Sequence, residues 1–229
     1  MNFVHKAFIF CIIIVVAPKE IHASGTDTDA MTNYDSLARA IYQNLDTEEL
    51  TYDAFSNAFT GYQQLISQDL VEKRNIITII DFNKSSKEER FFIIDLSKQD
   101  VIHESLVAHG KNSGWDIPSS FSNKANSYKS SLGFYITGET YKGKHGLSLK
   151  LDGLERGIND NARKRHIVIH AADYVSESFA KKIGRLGRSF GCPSLPSENY
   201  NQIIDLIKDK SLIFIYSNQR DYFIKSEYL

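Results

Sequence analysis

Apolar positions along the chain change period once, and the change divides it into a helical prefix and a strand-rich body. Tyr52, Phe55, Phe59, Tyr62 and Ile66 recur at spacings of three and four, with Leu65 alongside. That period puts them on one helical face, and such a stripe normally covers a core. Tyr34 to Leu45 predicts a shorter helix before it. Ser24 to Thr32 is small, polar and acidic and predicts a flexible linker.

From Asn75 the pattern is that of strands. Ile76 to Phe82 and Phe91 to Leu96 are β-branched or aromatic runs around the polar stretch Asn83 to Arg90, which predicts a hairpin. Val101 to His109, Leu132 to Tyr141, Leu147 to Leu151, His166 to His170 and Leu212 to Tyr216 predict further strands. Ser176 to Ile183 and Ser197 to Lys208 predict helices, the second capped by Ser197 with Tyr200 at N3. Lys111 to Lys129, rich in Ser, Asn and Lys, predicts a long loop of the kind that carries function. The expectation is a mainly β body behind a helical hairpin, α+β overall.

The first 23 residues have the organisation of an export signal. Lys6 supplies the positive end, Ala7 to Ala17 an apolar core too short to span a bilayer, and Ile21-His22-Ala23 a small residue before a cut. Taking 23 from the 229 leaves 206 residues, enough for one domain with a sizeable core. The expected boundaries are 1–23 for the signal, 24–75 for linker and helical prefix, and 76–229 for the catalytic body. A formal net charge of −1 lacks the basic footprint of a nucleic-acid binder. No later segment has the length and apolarity of a membrane span, so the mature protein is expected in the periplasm or secreted.

Export sharpens the meaning of the cysteines. Cys11 lies in the signal, which leaves Cys192 unpaired in a place where thiols normally pair. It sits in Arg188-Ser189-Phe190-Gly191-Cys192-Pro193, a glycine- and proline-bracketed turn, with His170 at the end of an apolar run upstream. A histidine, nearby cations and aimed backbone N–H groups all favour a thiolate. Arg185 and Arg188 supply charge, and Gly191 allows close backbone approach, so the N–H groups of Gly191 and Cys192 are candidate oxyanion donors. An inert, buried thiol is the other reading of such a residue, and the polar, turn-like surroundings speak against it.

His166 and His170 stand four apart, a metal-binding spacing only on a helix. Ile-Val-Ile between them predicts a strand and no zinc-protease Glu follows, so no metal is expected. In a strand the two rings share a face roughly 13 Å apart, and only one reaches a given thiol.

These residues resemble the L,D-transpeptidase catalytic domain of bacterial cell-wall enzymes, the YkuD-type domain. Its hallmark is a histidine followed downstream by Ser/Thr-His-Gly-Cys, and His170 with Ser189-Phe190-Gly191-Cys192 occupies those places. Gly110, the long loop and Ser131-Leu132-Gly133-Phe134-Tyr135 match a further pattern upstream. Gly187 to Pro193 is similar to the branch with Gly-Arg-Ser-aromatic-Gly-Cys-Pro. The resemblance spans roughly Ile76 to Tyr216 and implies a β-sandwich or barrel-like fold.

It also implies a Cys192 thioester on peptidoglycan stem peptides, with His170 as base and no cofactor. The thiolate would attack the third residue of a tetrapeptide stem and expel D-Ala. An amine on another stem, giving a 3→3 cross-link, or on a lipoprotein would resolve the intermediate. Gly191, Ser189 and Asp173 are the supporting candidates, Asp173 or a backbone carbonyl orienting the ring. Arg188, Arg185, Tyr174 and His145 are the substrate-binding ones.

Several positions depart from the family pattern. Phe190 replaces the histidine beside the nucleophile, Pro193 and Ser194 stand where Arg or Asn is usual, and 21 residues separate His170 from Cys192. Three other readings share the residues: a carboxypeptidase or amidase with water as acceptor, a cysteine peptidase of another fold, and a non-catalytic wall-binding relative. Papain-like enzymes place Cys before His, the reverse of the order here.

Overall fold

The computed structural model describes residues 27–144 and 146–229; the expected export signal, Cys11 and His145 lie outside the described residues. Helix α1 (Asp27–Tyr42) starts inside the segment expected to be linker. Helix α2 (Tyr52–Ser67) carries the aromatic stripe, and Thr51 caps it by accepting from the Ala54 N–H at 3.3 Å. The same hydroxyl donates to Asp81 Oδ2 at 3.0 Å, which ties the helix start to the sheet. Phe55, Phe59 and Leu65 are buried, each contributing about 1.5–3 kcal/mol by removal from water. A Cβ at Gly61 would lie 2.1 Å from the Phe134 ring, so a bare backbone is needed where α2 crosses the sheet. The prefix and the strands therefore share one core.

Eight strands follow: β1 (Ile76–Asp81), β2 (Phe91–Asp95), β3 (Asp100–Ser105), β4 (Gly133–Gly143), β5 (Gly146–Gly153), β6 (Val168–Ala171), β7 (Ser194–Leu195) and β8 (Leu212–Tyr216). They form one mixed sheet in the order β3-β2-β1-β8-β4-β5-β6-β7. The expected hairpin is the antiparallel pair β1–β2, while β1–β8 and β6–β7 are parallel. Helices α3 (Glu177–Ile183) and α4 (Tyr200–Ile207) fill the last two connections, and α5 (Arg220–Lys225) follows β8.

The sheet nearly closes into a barrel. Past β3 the chain runs along the β7 end: the Ala108 N–H donates to the Ser194 carbonyl at 2.9 Å, and the Ser189 N–H to that of His109 at 2.9 Å. This seam satisfies backbone that open edges would leave unpaired. It also grips residues 189–194, the segment that contains Cys192. The mainly β expectation with a helical prefix holds.

Three local expectations need correction. His166 adopts φ 56°, a left-handed turn, so β6 starts only at Val168 and the two histidines do not share a strand. Asn199, at φ 60°, caps α4 without a side-chain bond, and the Ser197 hydroxyl donates instead to Asp173 Oδ1 at 2.9 Å. The strand expected over Val101 to His109 ends at Ser105, four residues short, where the chain leaves β2 for the seam; α5, six residues long, carries too little period to stand out in the sequence.

Candidate active site

Cys192 lies two residues before β7, in a turn whose polar atoms are tied down. The Ser189 hydroxyl donates to the Cys192 carbonyl at 2.6 Å and accepts the Gly191 N–H at 3.0 Å. Ser130 donates to the Gly191 carbonyl at 3.2 Å and accepts the Gly110 N–H at 3.0 Å. Gly191 has φ 128°, and a Cβ there would lie 2.8 Å from the Lys129 carbonyl oxygen. Glycine is required for both reasons.

Parallel pairing sets His170 opposite Ser194, so Cys192 enters one strand step upstream of the ring. His170 is buried, and its Nδ1 lies 2.8 Å from the Ala171 carbonyl. A carbonyl only accepts, so Nδ1 is the donor in this pair, and in the neutral ring Nε2 is then the acceptor. The Ser194 hydroxyl, 3.1 Å away, donates to that Nε2, and the Tyr174 hydroxyl at 3.2 Å then donates to Ser194. Tyr174, Ser194, His170 and the Ala171 carbonyl form one directed chain of hydrogen bonds.

The thiol faces the β6 entry: Sγ lies 3.6 Å from the His166 carbonyl. Burial pushes its pKa up, opposed by the Val168 N–H aimed at the sulfur and by the charge of Arg165. Arg165 donates to the Ser122 carbonyl at 2.7 Å, the Lys129 carbonyl at 2.6 Å and Ser131 Oγ at 2.5 Å. It thereby pins the long loop beside Cys192, and its Nη2 would stand 3.3 Å from a Cβ at Gly191. Burial thus favours the neutral thiol over the thiolate.

The remaining sequence candidates divide. Tyr174 joins the ring's chain of bonds. Ring orientation comes from the Ala171 carbonyl, whereas Asp173 binds Ser197. Gly191 spends its N–H on Ser189, which removes it from the candidate oxyanion donors. Arg188 donates from Nη1 to the Lys111 and Gly114 carbonyls at 2.9 and 2.7 Å, and Arg185 to the Leu186 carbonyl at 2.5 Å. His145 lies outside the described residues. Ser194 and Arg165 escaped sequence reading: Ser194 is marked only by its place after Cys-Pro, and nothing marks Arg165. A cavity of about 710 Å³ lies past the other ends of β6 and β7, lined by Glu89, Glu104, Asp173 and Ser197 among others. Cys192 is not in its wall.

A family model for the L,D-transpeptidase catalytic domain matches residues 46–216. The chain belongs to this family. The match begins before α2, earlier than the span the motifs alone suggested. No curated protein is similar enough to match. Among solved structures, an L,D-transpeptidase from Mycobacterium smegmatis is 11% identical, with TM-score 0.37, over 62% of this chain and 59% of its own. One from Stackebrandtia nassauensis is 10% identical, with TM-score 0.38, over 84% and 91%. The chain thus spans about three fifths of the first of these. Among the described residues no helix is long and apolar enough to cross a membrane.

Proposed function

We propose that this L,D-transpeptidase-family chain is an exported cysteine acyltransferase of peptidoglycan stem peptides. The observation that carries the reading is the His170 ring beside the Cys192 turn, with Nδ1 held by the Ala171 carbonyl and Nε2 by the Ser194 hydroxyl. Nε2 takes the Sγ proton as the sulfur attacks the carbonyl of the third stem residue. The Cys192 N–H is the oxyanion donor in this reading, and Arg165 adds positive charge. The C–N bond to D-Ala breaks as His170 returns the proton to the leaving amine, which leaves a thioester. An amine on a second stem, or on a lipoprotein, attacks that thioester, its proton passes through His170 to the sulfur, and the thiol is restored. One amide replaces another, so no energy source is needed.

Export follows from the signal-like residues 1–23 and from a substrate that lies outside the cytoplasm. Incubating purified protein with tetrapeptide-rich sacculi and weighing the digested muropeptides tests the reaction. The expected product is a 3→3 dimer with release of D-Ala. Tripeptide without dimer assigns water as acceptor, and unchanged muropeptides with no Cys192 adduct overturn the reading.

A further inference from the structure

Beside the nucleophile turn lies a surface that the reaction leaves unused. Trp115 is 65% exposed and Phe190 is 66% exposed, both on the seam side of the barrel. Exposed apolar residues scattered singly are ordinary, whereas aromatics clustered with cations beside a site are of the kind that mark an interaction surface. Each is backed by cations. The Arg185 and Arg188 guanidiniums stand 4.1 and 5.0 Å from the indole centroid. Lys111 Nζ stands 4.3 Å from the Tyr128 ring and 4.6 Å from that of Phe190, and the two rings are 4.9 Å apart.

The cluster is continuous with the site. Arg188, which stacks on Trp115, also holds the Lys111 carbonyl, and Phe190 is two residues from Cys192. Rings clamped on one side by cations are rigid, so little freedom remains to be lost when a ligand covers the other side.

Charge selects the kind of ligand. Lys111, Arg185 and Arg188 form no ion pair among the described residues. The neighbouring acid, Asp116, is bound by Ser85 and Ser86 at 2.7 and 2.6 Å. Three cations with one neighbouring carboxylate leave a net positive charge beside flat apolar rings, which suits a ligand with both carboxylates and sugar rings. A stem peptide joined to its glycan has that composition. Three stem residues reach about 10 Å, so a stem whose third carbonyl meets Cys192 carries its sugar onto neighbouring surface.

We propose that Trp115, Phe190 and Tyr128, backed by Lys111, Arg185 and Arg188, dock the glycan of the donor strand. The assignment rests on the peptidoglycan reading above. Amino-sugar rings stack on the open aromatic faces, and stem carboxylates meet the cations. The platform makes a glycan-linked stem a better donor than the free peptide.

Trp115 is the only tryptophan in the chain, so its emission reports directly on this surface. Titrating the protein with disaccharide-tetrapeptide should shift or quench that emission, and free tetrapeptide should do so only at about tenfold higher concentration, the worth of one good ring contact. KM for D-Ala release should favour the disaccharide form by a similar factor, and Trp115→Ala should erase the preference while Trp115→Phe retains most of it. Equal responses to both ligands, or a preference that survives Trp115→Ala, overturn the platform. Emission that changes with protein concentration alone assigns the surface to a second copy of the chain and also overturns it. Binding without D-Ala release from either donor would instead sink the acyl-transfer reading and leave the docking intact.

Discussion

The Ser194 hydroxyl lies 3.1 Å from Nε2 of His170, the ring nitrogen not engaged by the Ala171 carbonyl. With Nδ1 bonded to the Ala171 carbonyl, the ring's resting acceptor site is occupied by a neutral donor. Ser194 therefore holds the ring in place, and in the proposed reaction it competes with Cys192 for Nε2. It lies where the family pattern has Arg or Asn, so the bond is built from a departure rather than from the motif.

Ser194→Ala should separate these two effects. Turnover should fall about tenfold as the ring loses one of its holds, in line with a lost neutral hydrogen bond. Alkylation of Cys192 by iodoacetamide near neutral pH should rise, because the competing donor is gone. Tyr174→Phe should produce a weaker form of both changes. Parallel loss of turnover and alkylation would show that Ser194 acts only through folding.

The second prediction concerns Arg165, whose charge lowers a thiol pKa that burial raises. A raised folded pKa means that alkylation keeps climbing through and above the ordinary cysteine range rather than levelling off below it. The sign for stability is the reverse of a salt-bridged acid: the fold favours the neutral thiol and loses that advantage as pH rises past the unfolded thiol's pKa. Arg165→Gln should move the alkylation midpoint further upward, and Arg165→Lys should restore part of the shift. Identical profiles in all three proteins would remove Arg165 from the chemistry.

Much of the barrel was legible because its strands are buried β-branched runs with sharp polar ends. Ile76–Asp81, Phe91–Asp95 and Leu212–Tyr216 lie within a residue or two of where the sequence puts them. Of the candidate site, the sequence offers residue types and not their geometry. Cys192 and His170 stand out by type and place. Their neighbours Ser194 and Arg165 act through contacts that a period cannot encode. The seam joins residues 108–111 to 189–194, some eighty positions apart, through backbone bonds indifferent to side chains. His166 misled because Ile-Val-Ile extends a strand pattern backward over a residue that turns at positive φ.

Gly191→Ala tests how much the Cys192 turn depends on its backbone. The substitution forces a side chain onto φ 128° and places its Cβ 2.8 Å from a loop carbonyl. The backbone strain alone costs about 1–3 kcal/mol, and the loop has to move as well. Urea unfolding should show a loss of that order, and carbapenem acylation of Cys192, read by intact mass, should slow by more than the stability loss explains. A variant with wild-type stability and acylation would mean that the turn is free to adopt another shape.

The last prediction is about acid. His109 sits on the seam, 1% exposed, with Nδ1 accepting from the Nη2 of fully buried Arg90 at 2.9 Å. Burial first, and the guanidinium charge second, push its pKa down to about 3. In the unfolded chain the ring titrates near its ordinary value of 6.5, so between these limits the unfolded state binds the extra proton. The contribution is therefore complete above neutral pH and is lost progressively as pH falls from about 6.5 toward 3. It amounts to a few kcal/mol, on the order of 3–5, across the window. The wild-type melting temperature should drop steeply between pH 7 and pH 4. His109→Gln keeps an acceptor for Arg90 without a titrating ring. It should be less stable at pH 7 and should lose markedly less on acidification. Equal drops in the two proteins would place the acid sensitivity elsewhere and show that the seam tolerates a charged ring at this position.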